Sequence, residues 1–351
     1  INFKQSLIQQ IINVYEVSIE TAGSKKTEIA IKALPFDTAQ ALKTHITITE
    51  NNALENQATN VKPLLKIGFL GLLKVSLTEN HLQSLLIFMA VLVGVYQQIK
   101  DLFKSFGKTE NFDNYFDEGT DALFGNIMLF FSLLGLLLIV ALISSFVRIF
   151  FKHFNLTVFV KNQAFEIHQG LTTKKLIILK KEKIQNITVS TNPIKQKLGI
   201  SFVTFKQALS GKIAKKKDKL IRVVGCKIHQ IETIKTFLFD DESFESIVKT
   251  HSDSYYKTRM YVRSTLGLLF VNSLIYLITD DVRMYLSNLI LVPLILVLIH
   301  LKFNKTFYKM DKNLLMIGKG RVETHHTYLP FFKVQNIKIR QTLFQQRKNV
   351  V

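Results

Sequence analysis

The 351-residue chain contains no tryptophan and a single cysteine, Cys226, and its acidic residues are far fewer than its basic ones. One thiol cannot form an intramolecular disulfide, and nothing in the cysteine usage points to an oxidising compartment. Without tryptophan, any aromatic belt at a membrane interface must consist of tyrosine and phenylalanine. The formal net charge is +20 although 48% of the residues are hydrophobic. This combination indicates that apolar and Lys-rich stretches are segregated along the chain.

Sequence signatures of common enzymes are also missing. The chain has no activated-nucleophile motif, no phosphate-binding loop and no His-Glu-x-x-His zinc motif. Cys226 and His229 are two possible metal ligands, but no second pair stands at zinc spacing. The consecutive His325 and His326 would point to opposite sides of a strand. We therefore expect no catalytic residue, no metal site and no cofactor.

Four windows without Asp, Glu, Lys or Arg predict four membrane spans. The windows are Leu82–Ile99, Ala122–Val147, Ser264–Thr279 and Met284–Leu301. A helix of about 18 residues is roughly 27 Å long, close to the ~30 Å hydrocarbon core. The third window is the shortest, so a re-entrant or buried helix is its alternative, but its tight link to the fourth favours a span. Charge-free spans disfavour an ion or proton path.

The segments between these windows differ in charge, which predicts their orientation. Residues 99–125 and the turn 280–283 are acidic, whereas 151–260 and 302–351 are strongly basic. Since basic segments stay in the cytoplasm, both hairpin tips should face outward and the basic segments inward. The predicted location is the cell (inner, cytoplasmic) membrane, crossed several times.

Two segments outside the predicted spans are similar in sequence. Phe165–Gly199 aligns without a gap with Leu315–Asn349. The repeat signature, as we call it, consists of Gly170, Lys183, Ile184, Gln185, Asn186 and Ile187 in one segment, which align with Gly320, Lys333, Val334, Gln335, Asn336 and Ile337 in the other, together with Gly199, which aligns with Asn349. Each segment follows a predicted hairpin, so the repeating unit is a hairpin plus a module.

The N-terminus holds part of another copy. Ile8 aligns with Ile194, and Ile29–Ile31 aligns with Ile221–Val223 after a longer loop in the second copy. We expect the end of a first module, a whole second module and the start of a third, and therefore a fragment of a longer protein. The two incomplete copies should either have unpaired edges or pair with each other.

The complete copy, about 154–239, predicts β-strands followed by one helix. Apolar and polar residues alternate in stretches such as Leu156–Val160 and Ile184–Val189. Apolar residues then change to helical spacing at Ile228, Ile231 and Ile234. A helix that closes one end of a strongly bent sheet fits this order.

These features resemble the bacterial pleckstrin-homology-like (PH-like) domains of the YdbS/YdbT type. The residues that carry the resemblance are Gly170, Lys183–Val189, Pro193, Ile194, Leu198 and Gly199, together with the link Leu72–Leu82 before the first hairpin. Leu343 stands where the pattern of the second copy has Pro193, which is a departure. The resemblance covers most of the chain except the acidic outer loop. It implies tandem modules, each a curved antiparallel sheet with a C-terminal helix, and no catalytic activity.

The predicted fold class is an α+β membrane protein in which transmembrane helical hairpins alternate with PH-like antiparallel β modules capped by a C-terminal helix. The predicted divisions are the C-terminal part of a first PH-like domain (1–48), a linker with an amphipathic juxtamembrane segment (49–81), a transmembrane hairpin with an acidic outer loop (82–150), a complete second PH-like domain (151–246), a second hairpin (260–302) and the N-terminal part of a third PH-like domain (303–351).

Two segments are candidates for membrane contact. The lysine segment, Lys212, Lys215, Lys216, Lys217 and Lys219, would contact anionic lipid headgroups, with a solvated loop as the alternative. The Leu-rich stretch 64–77 either lies along the inner membrane surface or packs against a module. The positive-inside rule already explains the basic excess, and no motif supports nucleic-acid binding.

We therefore expect a non-enzymatic multi-pass membrane scaffold that presents PH-like domains at the cytoplasmic face. Its expected partners are the bilayer, anionic lipid headgroups and a membrane or cytoplasmic protein, such as a smaller PH-domain membrane protein, but no nucleic acid. The alternative is a component of a membrane transport, export or antimicrobial-peptide resistance system.

Overall fold

The computed structural model describes residues 2–19, 29–48, 62–79, 81–107, 114–119, 125–207, 220–240, 247–279, 285–286 and 288–348. The strands are β1 Asn2–Gln5, β2 Val14–Ile19, β3 Ile29–Pro35, β4 Leu65–Lys66, β5 Thr157–Lys161, β6 Ala164–Gln169, β7 Lys174–Lys180, β8 Ile184–Thr191, β9 Ser201–Gln207, β10 Leu220–Cys226, β11 Thr250–His251, β12 Phe307–Met310, β13 Leu314–Gly320 and β14 Thr324–Pro330. The helices are α1 Leu7–Ile11, α2 Phe36–Ile48, α3 Phe69–Leu77, α4 His81–Ser105, α5 Ile127–His153, α6 Pro193–Lys197, α7 Ile228–Phe239, α8 Ser254–Thr279, α9 Asn288–Lys305 and α10 Leu343–Gln346.

The described strands form two seven-stranded antiparallel sheets. Their strand orders are β3-β2-β1-β7-β6-β5-β4 and β10-β9-β8-β14-β13-β12-β11. The two orders match position by position, with helices α3, α4 and α5 between β4 and β5 and helices α8 and α9 between β11 and β12. The internal repeat and the α+β fold class predicted from the sequence are both present.

Each sheet contains strands from two neighbouring sequence copies. In the first sheet β1 pairs with β7, so that Phe3 lies opposite Leu176. In the second sheet β14 pairs with β8, where the hydroxyls of Thr188 and Thr327 are 3.0 Å apart. The incomplete copies therefore do not pair with each other through any described strand. Each instead extends a sheet of the second copy. Neither alternative predicted from the sequence describes this arrangement.

The core of the second copy lies between its two half-sheets. Strands β5–β7 and β8–β10 are joined by the single turn Lys181–Lys183, and their buried side chains belong to one cluster. The Phe165 and Phe205 rings meet across it at a centroid distance of 5.0 Å. Helix α7 closes the core with Ile231 and Ile234, as its spacing predicted. Burying each such side chain contributes about 1.5–3 kcal/mol.

Helix α3 bears on the two predictions for the Leu-rich stretch 64–77, the membrane surface or packing against a module. Its residues Leu72 and Val75 are buried, and the helix packs against α5 and β10. Packing against a module is therefore the alternative that the structure shows. The remaining face exposes the apolar residues Phe69, Leu70, Leu73 and Leu77. An exposed apolar face beside a membrane helix is suited to the bilayer surface.

Three helices among the described residues are long and apolar enough to cross a membrane: 131–153, 254–277 and 288–305. Helix α4 covers the first predicted window and packs against α5, but it is not one of the three. Residues 108–113 and 120–124 of the acidic outer loop, and Asp280-Asp281, fall outside the described residues. Four spans in two hairpins therefore stay a prediction.

The third predicted span is part of a longer helix that carries charges before the charge-free window. Helix α8 begins at Ser254, ten residues before the charge-free window, and carries Lys257, Arg259 and Arg263 in its first three turns. The charges lie at the end of the helix nearest the sheets, where an aqueous headgroup region can hydrate them.

The only cysteine of the chain is a probe of folding. Cys226 is buried in the core of the second copy, and burial raises the pKa of its thiol to about 12. Since the thiolate is the reactive form, we expect no maleimide labelling of the native protein within minutes at pH 7 and complete labelling after denaturation. A mass shift measures the labelled fraction. Fast labelling of the native chain would contradict this placement of β10.

Candidate membrane-facing site

The sheets have one end against the hairpins and one end away from them. At the first end, the Gly170 N–H donates to the Phe154 carbonyl at 2.9 Å and the Leu171 N–H donates to the Phe151 carbonyl at 3.0 Å. The β6–β7 turn therefore rests on the end of α5. In the second sheet the Lys305 ammonium reaches the Val322 carbonyl in the β13–β14 turn at 3.4 Å. We call this side the hairpin end and the opposite side the far end.

The signature glycines shape these turns. Gly170 has a φ of +103° and Gly320 has a φ of +135°, both in the region that favours glycine. A Cβ on Gly170 would lie 2.1 Å from the Thr173 carbonyl oxygen, and one on Gly320 would lie 2.0 Å from the Glu323 carbonyl oxygen. Gly199, with a φ of +67°, follows helix α6 as a left-handed residue.

The other signature residues are also architectural. Ile184 and Ile187 are buried in the core, and Gln185 and Asn186 are half-buried between them. Their third-copy counterparts, Val334, Gln335, Asn336 and Ile337, lie outside every described strand, and Ile337 is 79% exposed. The two matching segments thus lie in different environments. Strand β8 lies between β9 and β14, whereas the third-copy segment has no described strand beside it.

The two signature lysines lie at the far end. Lys183 pairs with the neighbouring Glu182 at 3.1 Å. Lys333 instead crosses to the second copy and donates to the Ile184 carbonyl at 2.5 Å and the Glu182 carbonyl at 3.2 Å. Burial lowers the pKa of Lys333. This lysine therefore joins two copies.

The lysine segment lies outside the described residues, but the strand ends beside it are placed. Gln207 at the end of β9 lies opposite Ile184, at the far end of the sheet. Leu220 begins β10 next to it, opposite Lys206. A seven-residue strand is about 20 Å long, so these two strand ends lie about that distance from the hairpin end. Contact of the lysine segment with lipid headgroups stays a prediction.

A basic pocket lies at the hairpin end, between α8 and α9. Its volume is about 430 Å³. Four cations line it: Arg259 and Arg263 from α8, Lys302 from α9 and Arg321 from the β13–β14 turn. The Lys302 ammonium lies 5.8 Å from the centre of the Tyr256 ring. None of the four cations forms an ion pair within the part of the chain that the structure describes.

One wall of this basic pocket is apolar. Ile295, Leu298 and the buried Ile299 line it from α9. Ile295 and Lys302 are about 10 Å apart along the helix axis. The pocket therefore changes from cationic at the sheets to apolar towards the membrane, which suits an amphipathic molecule with a negative head.

A buried ion pair at the hairpin end joins the second and third copies. The Lys195 side chain is only 2% exposed, and its ammonium lies 2.5 Å from the Glu323 carboxylate. The ammonium also lies 3.8 Å from the centre of the Phe202 ring, whose centre is 4.5 Å from the Arg222 guanidinium. Arg222 in turn contacts Glu79 at 3.5 Å. We call these five residues the junction cluster.

The electrostatics of the junction cluster depend on its carboxylates. Burial lowers the pKa of Lys195, while the hydrogen bond and charge of Glu323 oppose that shift. The junction cluster could not be predicted from the sequence, because its members are isolated residues in five different segments and no spacing rule relates them.

A second pocket, of about 480 Å³, lies at the far end. Its lining includes Asn162, Lys181, Phe332 and Lys333. Phe332 is 82% exposed, and Lys181 pairs with Asp240 at 3.0 Å. An exposed aromatic ring between cations is a common composition for protein contacts.

Comparisons with known proteins agree with this architecture. The bacterial PH domain family matches residues 1–47, 114–238 and 266–351. The UPF0699 transmembrane protein YdbT of Bacillus subtilis (strain 168) is 22% identical over 234 residues, which are 62% of this chain and 45% of that protein. The chain therefore spans less than half the length of this relative. No solved structure matches the chain.

Proposed function

The chain belongs to the bacterial PH domain family, and on this premise we propose that it is a non-enzymatic membrane scaffold that presents PH-like domains at the cytoplasmic face. The observation that carries the proposal is the sharing of sheets between neighbouring copies. A continuous sheet holds successive modules in a fixed relation to one another and to the hairpins beside them. This arrangement suits the display of binding surfaces.

Membrane attachment has independent support. The relative is a transmembrane protein, and the chain has three helices that could cross a membrane. The chain is a membrane protein with PH-like domains. The strongly basic character of the segments that form the sheets favours a cytoplasmic position for them.

Cysteine accessibility tests this orientation. We expect Glu118→Cys, between α4 and α5, to react with a membrane-impermeant maleimide added to intact cells. Lys312→Cys, in the exposed β12–β13 turn, should react only after the membrane is permeabilised. The buried Cys226 gives the background in both variants. Labelling of Lys312→Cys in intact cells would refute the proposed orientation.

The proposed ligands of the displayed modules are a protein partner or anionic lipid headgroups, and the far-end pocket supports the first. A photo-crosslinker in place of the exposed Phe332 should yield one discrete protein adduct in native membranes, such as a smaller PH-domain membrane protein. The same crosslinker at Val248, which is also exposed but does not line the far-end pocket, is the control and should not yield that adduct. Substrate flux in proteoliposomes that contain only this chain would contradict a scaffold and favour a transport, export or resistance component.

A further inference from the structure

The residues beside the first predicted hairpin can be matched with those beside the second, and several matched positions differ in charge. In the first sheet β4 pairs Leu65 with Val158, and in the second sheet β11 pairs Thr250 with Tyr308. The helices α3 and α8 then begin the same number of residues after these strands. This register makes Arg259 the counterpart of Lys74, and Arg263 the counterpart of Thr78.

The hairpin end of the first unit contains a carboxylate beside its cations. There Glu79 contacts Arg222 at 3.5 Å and interacts electrostatically with Lys152, the counterpart of Lys302. In the second unit the position of Glu79 is taken by Ser264, and the position of Leu171 is taken by Arg321. The second unit therefore has two further arginines and lacks the carboxylate.

The second unit consequently has four cations that form no ion pair with any acidic residue in the described part of the chain. The acid nearest along α8, Asp253, accepts a hydrogen bond from the Tyr255 N–H, and Glu323 is engaged by Lys195. Cations at this depth of a membrane helix are stable when they meet water, a headgroup or a counter-ion. A lipid headgroup with a negative charge would supply both the headgroup contact and the counter-ion.

We infer that the basic pocket between α8 and α9 binds an acidic phospholipid of the adjacent leaflet, with the phosphate at Arg259, Arg263, Lys302 and Arg321. The apolar wall of Ile295, Leu298 and Ile299 would receive the upper part of the acyl chains. A free phosphate would leave this wall uncovered, whereas a phospholipid fits both halves of the pocket. The binding site is distinct from the lysine segment and from both half-sheets.

A second kind of occupant is the alternative in the test. In the first unit β10 packs on α3, so a protein segment of similar shape could lie on α8. Such a segment would have to bring its own carboxylates to meet the four cations. Charge complementarity and the amphipathic lining favour the phospholipid.

The experiment uses the full chain in an uncharged detergent, with bound lipid counted by native mass spectrometry. Dioctanoyl phosphatidylglycerol should bind at one site, and dioctanoyl phosphatidylcholine should bind at least about tenfold more weakly. The double variant Arg259→Gln/Arg263→Gln should weaken phosphatidylglycerol binding at least about tenfold, since each cation near a membrane surface contributes roughly a fivefold preference. Inorganic phosphate at the same concentration should not displace the lipid.

A matched control removes the same charge elsewhere. Lys312→Gln/Arg340→Gln changes two exposed cations outside the pocket and should leave binding unchanged. Protection of Cys226 from maleimide verifies that both variants are folded. Equal binding of the two lipids, equal binding by the double variant, or full displacement by phosphate would each overturn the inference. So would a protein adduct, in place of lipid, formed by a crosslinker at Ser264 in native membranes.

The inference depends on the proposed function only for the leaflet in which the lipid resides. Lipid counting in detergent does not involve orientation, whereas the cysteine accessibility experiment does. A failure of one therefore leaves the other standing.

Discussion

Glu323→Gln should lower the free energy of unfolding by about 2–3 kcal/mol at neutral pH, because it leaves a buried ammonium without its carboxylate. Lys195 is almost fully buried, so water cannot replace the lost partner. The loss should be smaller than for a fully buried pair, since the Glu323 side chain is 39% exposed. The measurement is the denaturant dependence of Cys226 labelling in the full chain.

The stability lost in Glu323→Gln should decrease as the pH rises from neutral. Burial lowers the pKa of Lys195 below 10.5, and removing Glu323 lowers it further, with Arg222 acting in the same direction and Glu79 opposing. Between that lowered pKa and 10.5 the unfolded chain binds more protons than the native one, so stability rises with pH. The difference between Glu323→Gln and the native protein should therefore be largest near pH 7 and shrink towards pH 10.

Two further variants test whether the loss of stability comes from the buried, unpaired ammonium of Lys195. Glu182→Gln removes an exposed carboxylate whose partner Lys183 is also exposed, and it should change stability by less than about 0.5 kcal/mol. Adding Lys195→Met to Glu323→Gln should recover most of the loss, because no buried charge then remains. A Glu323→Gln protein as stable as the Glu182→Gln protein would show that the junction cluster does not hold the copies together.

The second large effect is expected at the hairpin-end turns. Gly170→Ala and Gly320→Ala should each cost about 2–3 kcal/mol, because a Cβ at these φ angles is strained and lies about 2 Å from a backbone oxygen. In the first turn the displaced backbone includes the Gly170 N–H that bonds to Phe154 at the end of α5. The same Cys226 labelling curve reports the loss for both variants.

Gly199→Asn is the control for these glycines. Gly199 also has a positive φ, but no atom lies within 4 Å of an added Cβ. In the aligned first copy the corresponding position is Asn13, with a φ of +53°. Asparagine tolerates this conformation, so we expect a cost below about 1 kcal/mol. If Gly170→Ala and Gly199→Asn lost the same stability, the close approach in the β6–β7 turn would not matter.

Local patterns predicted the elements of the second copy well. Alternation placed strands at Leu156–Val160 and Ile184–Val189, and the structure has them at Thr157–Lys161 and Ile184–Thr191. Helical spacing likewise placed α7. These predictions succeed because one buried face per element leaves a period in the sequence.

The partners of the strands could not be predicted in the same way. Alternation shows which side chains of β7 face the core, but it carries no information on which strand lies beside it. The pairing of β7 with β1 depends on a neighbour far away in the chain. The sequence therefore predicted three consecutive modules. It did not predict that each sheet contains strands from two neighbouring modules.

Membrane helices and their charges show a related limit. Charge-free windows mark the part of a helix that meets hydrocarbon, but α8 begins well before its window because a helix continues into the aqueous region. The basic pocket also escaped detection, since Arg259, Arg263, Lys302 and Arg321 come from three elements. The lysine segment was predicted as a contact site because its charges are close together in the sequence.

The shared sheets have a consequence for biogenesis. The partner of strand β1, β7, is made more than 170 residues after it, when the first predicted hairpin has been made. At about 5–20 residues per second, β1 waits roughly 10–35 s on the ribosome for that partner. The exposed edge of β1 needs protection during this interval, so insertion of the first hairpin must precede closure of the first sheet. Slow translation before residue 174 should therefore increase aggregation more than slow translation after it.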